Sequence, residues 1–429
     1  MNGFIGTMIL IPFKRAVKTD LKKPLKHFIT REQGKRQTLV EKFQKLNIFS
    51  DKQKYDEDTT ELLTAFASFH DLRKEVAAAA ETVSVPTLGR YKKILNYFTQ
   101  LHFLQGRFPI SPEGIRLDFG WFDAFAPEIY VKLPVPMWEK VSLLWNLGAT
   151  QNNLGCFIDP TRQENAKAAA GHFSLAAGIF KHISNISNEF KDERTRDISP
   201  ELLNLMVDLC LANMQYCIYE GAKAKGMKPA NLARLALATS QAYQNCFNVA
   251  KTTHARPAWI TLFAISSNHF HAAAHYYMSL VEHAQAQKTM SNWGIEVGRL
   301  KFAEKLIVEA VHQNSSLEHQ TKSRTEALLA LRQTIVQARQ EAETKNHSIY
   351  FDLEPPPHEL KPIVPLKMGK MKEFNPQKEM EGTVDLFANF VPKVVSDAVA
   401  EFRAKADAIV AEAAKTARAS SDTLSATLA

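Results

Sequence analysis

Glycine is scarce in this 429-residue chain, with 17 in all, and none sits in a G-x-x-x-x-G-K-[ST] or G-x-G-x-x-G loop. Such loops need bare backbone so that N–H groups can close on a phosphate, so neither nucleotide hydrolysis nor dinucleotide chemistry is expected. Cysteine is scarcer: Cys156, Cys210, Cys217 and Cys246, with no Cys-x-x-Cys pair. A chain of this length does not need disulfide staples, and a reducing cytoplasm is the expected compartment. No run approaches the roughly 18 to 20 apolar residues of a membrane-spanning helix, so integral membrane function is not expected. The apolar stretch from Ile5 to Ile11 has no positive residue before it and no small-residue cleavage site after it. It is expected to be a strand, not a signal peptide.

What remains is an ordinary globular composition, 45% hydrophobic and 23% charged, on which a large core can be built. Lysine and arginine number 53 against 45 acids, a net charge of +8, mild for this length but compatible with anionic partners. The densest basic stretch is Lys14, Arg15, Lys18, Lys22, Lys23, Lys26, Arg31, Lys35 and Arg36, opposed only by Asp20 and Glu32. Such runs usually solvate a face; the alternative is a membrane-facing surface centred on Lys22, Lys23 and Lys26. A second cluster, Lys223, Lys225, Lys228 and Arg234, lacks the interleaved aromatics that stack on single strands, and no nucleic-acid partner is expected.

Periodicity then assigns elements. From Glu57, Leu62, Phe66, Phe69 and Val76 form one apolar helical stripe, and a second helix is expected over Leu88 to Leu104. Alternation over 115–121 and again over 129–133 predicts two strands, with the stretch near 5–12 as a third. From Trp138 nearly everything is helical, a body expected over 138–344. Ser199-Pro200-Glu201 marks one start: a hydroxyl cap, a proline whose missing N–H costs nothing, and a carboxylate at the positive helix end. Leu328, Leu331, Ile335 and Ala338 mark a later helix by 3-4-3 spacing. Prolines 355–357, 362, 365 and 376 predict an extended arm over 352–383. A closing helix is expected from 384, and 399–429 as its end and the start of a linker.

The chemistry-bearing residues are few. His271 and His275 lie one turn apart with His269, His283 and Glu282 nearby, but without the His-Glu-x-x-His pattern; no metal site is expected. Cys210 and Cys217 share a helix face with Leu203, Met206 and Met214 around them, which predicts buried small hydrophobes. No catalytic residue and no cofactor emerge, and the expected class is a non-enzymatic interaction scaffold.

Several segments together resemble the Bro domain (Bro-one domain) family of Alix, the programmed cell death 6-interacting protein, and its fungal relatives. They are the strand from Phe4 followed by "TDLKKPLKHFI", then "IRLDFGWFDAF" at Ile115, "EKVSLLWNLGA", "AAAGHFSLAAGIFKHI" at Ala168, "DISPELL" at Asp197, "NHSIYFDLEPP" at Asn346 and "VDLFANFVPKVVSDAV" at Val384. Their order covers residues 4 to about 410, within an expected Bro-like domain over 1–398. The resemblance implies a mainly α, elongated banana-shaped helical array with a tetratricopeptide-like middle, a small three-stranded sheet near one end and an arm returning along the body.

The resemblance also implies a function: a cytoplasmic adaptor, peripherally recruited to endosomes, that binds the C-terminal amphipathic helix of an ESCRT-III subunit of the charged multivesicular body protein four type. Its setting would be endosomal sorting, multivesicular body formation and membrane scission. The alternatives are an ambient-pH signalling adaptor of the fungal type and a direct anionic-membrane-binding module. Matching the helices puts the partner-binding patch at Ile218, Asn231 and Leu235, with Lys167 and Gln163 on the rim. Ordinary core packing competes for Ile218 and Leu235. Tyr350 matches a phosphorylated tyrosine of Alix, against a packed wedge at the arm junction. Pro362 to Pro365 is expected to pack on the body, since Ile363, Val364 and Leu366 are too apolar to leave free.

Overall fold

The computed structural model describes residues 8–31, 52–81, 86–187, 194–253, 255–390 and 393–428. Residues 5–7 of the predicted first strand, and Lys35 and Arg36, lie outside these. The fold is mainly α. Helix α1 covers 22–31, with Leu21, Leu25 and Ile29 turned inward, followed by α2 (Lys52–Glu81), α3 (Leu88–Arg107) and the hairpin β1 (Phe119–Phe122) and β2 (Tyr130–Leu133). The body is α4 (Pro136–Cys156), α5 (Gln163–Ile186), α6 (Pro200–Ala224), α7 (Pro229–Ala250), α8 (Pro257–Thr289), α9 (Trp293–Ser315) and α10 (Lys322–Lys345). Each of these packs on its neighbours in sequence, so the helices stack as an elongated array. The Ser199 hydroxyl accepts from the Leu202 N–H at 3.3 Å and starts α6 as expected. By length and composition α6 alone of the described helices could cross a bilayer. Most of it is core, which corrects the expectation that no such run exists.

The sheet is smaller than predicted. β1 and β2 pair antiparallel in the register Phe119 to Leu133, and the third participant is one bridge, Ala16 to Trp121. Residues 8–12 form no strand because side chains of α4 take the place of a neighbouring strand. Asn153 accepts from the Ile11 N–H at 2.9 Å and donates to its carbonyl at 3.0 Å. Asn146 does the same for Lys14, at 2.8 and 3.0 Å. A carboxamide carries one donor and one acceptor side by side and so satisfies an extended residue as a peptide would.

Two buried carboxylates tie the end of the array together. Asp197 pairs with Lys14 at 2.5 Å, both fully buried, and accepts from the Ala124 N–H. Glu139 accepts from Arg73, Tyr97 and Trp121, joining α2, α3, β1 and α4.

After α10 a π turn, Asn346–Tyr350, leads into the arm. The arm is extended, interrupted by α11 (Pro376–Met380), and it is hydrogen-bonded to the body. Arg234 donates to the Val364 carbonyl, the Leu366 N–H donates to the Arg234 carbonyl, and Gln215 binds Leu366 and Met368. Ile363 is buried, while Val364 is exposed. The closing helix α12 (Lys393–Leu428) begins later than 384 and runs through the predicted linker. Asp385 organises the preceding turn by accepting from the Phe387 N–H.

Candidate docking face

The expected patch falls on the α5–α6–α7 side of the body, where the arm crosses. Gln163 and Lys167 are exposed one turn apart on α5. Asn231 is half-buried in the first turn of α7. Leu235, one turn further, is 0% exposed and belongs to the main core. It is a packing residue, which corrects its place in the patch. Ile218 is half-buried: a β-carbon built on Gly369 of the arm would stand 2.9 Å from its Cδ1 and 2.8 Å from the Met214 methyl. The arm backbone thus lies directly across this part of α6.

Beside that crossing is a groove that the sequence reading missed. Val207, Leu211, Met214 and Ile218 recur at steps of four, three and four, and so share one face of α6. Val207 and Leu211 remain partly exposed. With Val249 of α7 and Gly369 and Met371 of the arm they line a groove of about 640 Å³. Lys181, Glu201 and Asp208 supply charge at its edges. Burial holds the Asp208 carboxyl above its usual range, opposed by a hydrogen bond from Asn245. The signal was present in the spacing; the missing information was which face of α6 the arm leaves open.

The other candidates separate. Lys22, Lys23 and Lys26 are exposed on α1, Lys22 within 3.4 Å of Asp71. The histidines and Glu282 do not gather into one ligand set: the His271 and His275 rings lie 5.1 Å apart, but His269 stacks on Phe270, His283 bonds Glu296 and Glu282 meets Arg299. All four cysteines are buried, and burial raises each thiol above its usual range, which disfavours the reactive thiolate. Tyr350 stacks on Trp293, ring centroids 4.1 Å apart and planes 7° apart.

A BRO1-like domain model matches residues 48–410. The chain belongs to the BRO1-like domain family. Two relatives of this BRO1-like chain are "pH-response regulator protein palA/RIM20" of Emericella nidulans, 29% identical over 66% of this chain and 33% of that protein, and "Vacuolar protein-sorting protein BRO1" of Gibberella zeae, 27% identical over 95% and 39%. The chain therefore spans between a third and two fifths of their length. The solved ALIX BRO1 CHMP4C complex matches its fold with a TM-score of 0.71 at 23% identity, covering 90% of this chain and all of that one.

Proposed function

We propose that this BRO1-like domain is a non-enzymatic adaptor that docks the C-terminal amphipathic helix of an ESCRT-III subunit on the open face of α6 and acts at endosomes in sorting and membrane scission. The observation that carries the reading is the open apolar groove lined by Val207 and Leu211 of α6, Val249 of α7 and Met371 of the arm, with Lys181, Glu201 and Asp208 at its edges. An amphipathic helix buries its apolar stripe in such a groove, and charges beside it set direction. A palA/RIM20-type relative supports an ambient-pH signalling adaptor as the second reading, with the same docking chemistry.

The test is titration of a labelled CHMP4C C-terminal helix against Val207→Asp and Leu211→Asp. A carboxylate in the groove should cost about 2 kcal/mol, roughly thirtyfold in affinity, with little change in melting temperature. Leu235→Asp, in contrast, should lose the fold. Folded Val207 and Leu211 variants that bind as tightly as the parent would remove the groove from the site.

A further inference from the structure

Between α7, α8, α9 and the arm lies a second pocket, about 510 Å³, that the docking face does not use. Five of its lining residues carry basic nitrogen: His271 and His275 of α8, Arg299 of α9, and His358 and Lys361 of the arm. None of the described residues lining it is a carboxylate. Ser240, Ser267 and Gln244 add neutral hydrogen-bonding groups, already linked to one another.

Two of the basic side chains have unspent polar atoms. Arg299, 2% exposed, gives one terminal nitrogen to Glu282 and to the Lys361 carbonyl, at 3.3 and 2.7 Å. Its Nε is buried with no hydrogen-bond partner among the described residues. The same holds for Nδ1 of His275, a residue 8% exposed. The His275 ring stands edge-on to Phe302 and 5.1 Å from that of His271. Buried polar atoms are nearly always satisfied, by an ion or water where the protein supplies nothing. The Arg299 guanidinium and the Lys361 ammonium, with two imidazoles that can each donate one N–H and no carboxylate among the described lining residues, match an anion with several acceptor oxygens.

We propose that this pocket binds a small phosphate-bearing anion beneath the arm. The phosphate chemistry is shared by free solutes and by lipid headgroups, and the experiment separates them. Calorimetry with soluble inositol trisphosphate should give saturable binding, one per chain, and raise the melting temperature. Arg299→Gln risks misfolding, so the diagnostic variant is His271→Gln with Lys361→Gln, both side chains being at least partly exposed. It should lose about tenfold or more in affinity while melting unliganded as the parent does. Lys22→Glu, Lys23→Glu and Lys26→Glu together should leave this binding intact. Vesicles containing phosphatidylinositol bisphosphate will compete for the probe if the source is a headgroup, and fail if it is a free solute. Absent saturation, or binding that survives the pocket variant and disappears in the α1 variant, overturns the proposal.

Discussion

Single side chains settle more here than their number implies. His269 and His275 each keep a buried Nδ1 with no hydrogen-bond partner among the described residues. Burial, with Lys223 as a lesser contributor, pushes the first down to about 4 from 6.5; burial, with His271 and Arg299, pushes the second down to about 3. Above pH 6.5 both are neutral whether folded or unfolded, and their contribution to stability is fully present. Below it the unfolded chain takes up the protons first, so that contribution is lost as pH falls toward about 4 and about 3. The slope is about 1.4 kcal/mol per pH unit per histidine, roughly 2 kcal/mol each by about pH 5. Urea unfolding in phosphate-free buffer should therefore show a flatter pH dependence for His269→Gln/His275→Gln than for the parent. Equal slopes would mean that these imidazoles are protonated in the fold. Nothing in the sequence reveals such a shift, because it comes from burial that only the packing of distant segments creates, as α9 and the arm do around His275. Ile218 and Leu235 teach the same lesson: both are apolar residues on helices, and only packing separates the half-open one from the core one.

At the scale of elements, the arm is where helices are left bare to receive it. An added β-carbon at Gly178 of α5 would stand 1.9 Å from the Lys372 carbonyl oxygen, and one at Gly294 of α9 would stand 2.1 Å from that of Leu353. Backbone cannot retreat as a flexible side chain can. Gly178→Ala should accordingly cost about 1 to 3 kcal/mol and speed tryptic cleavage at Lys370 and Lys372. Gly171, on the same helix with nothing within 4 Å, is the control; alanine there should stabilise by about 0.5 to 1 kcal/mol. A Gly178→Ala protein as stable and protease-resistant as the parent would show that the arm is not seated as described. The helices themselves were legible, because caps such as Ser199 and stripes such as Leu62 to Val76 are local signals. The missing third strand was not, since it depends on Asn146 and Asn153 more than 130 residues from the backbone they satisfy.

The whole molecule separates its surfaces by chemistry. The basic residues of α1 are exposed near the N-terminal end of the array, away from the groove on α6. If the α1 face meets anionic lipid, changing Lys22, Lys23 and Lys26 to Glu should weaken flotation with anionic vesicles, most strongly at low salt, since screening is already short at ~8 Å in physiological buffer. Unchanged flotation would leave membrane contact to other surfaces. The arm has a further consequence. A stack of helix pairs bends easily, because each unit touches only its neighbours. Here one strand of chain is fastened to α9 at Arg299, to α7 at Arg234, to α5 at Ser174 and to α3 at Gln100 and Arg107. It runs across the array as a string runs across a bow, so flexing the body must stretch or slacken that string. A load applied through α12 would be carried first by these fastenings rather than by the helix interfaces.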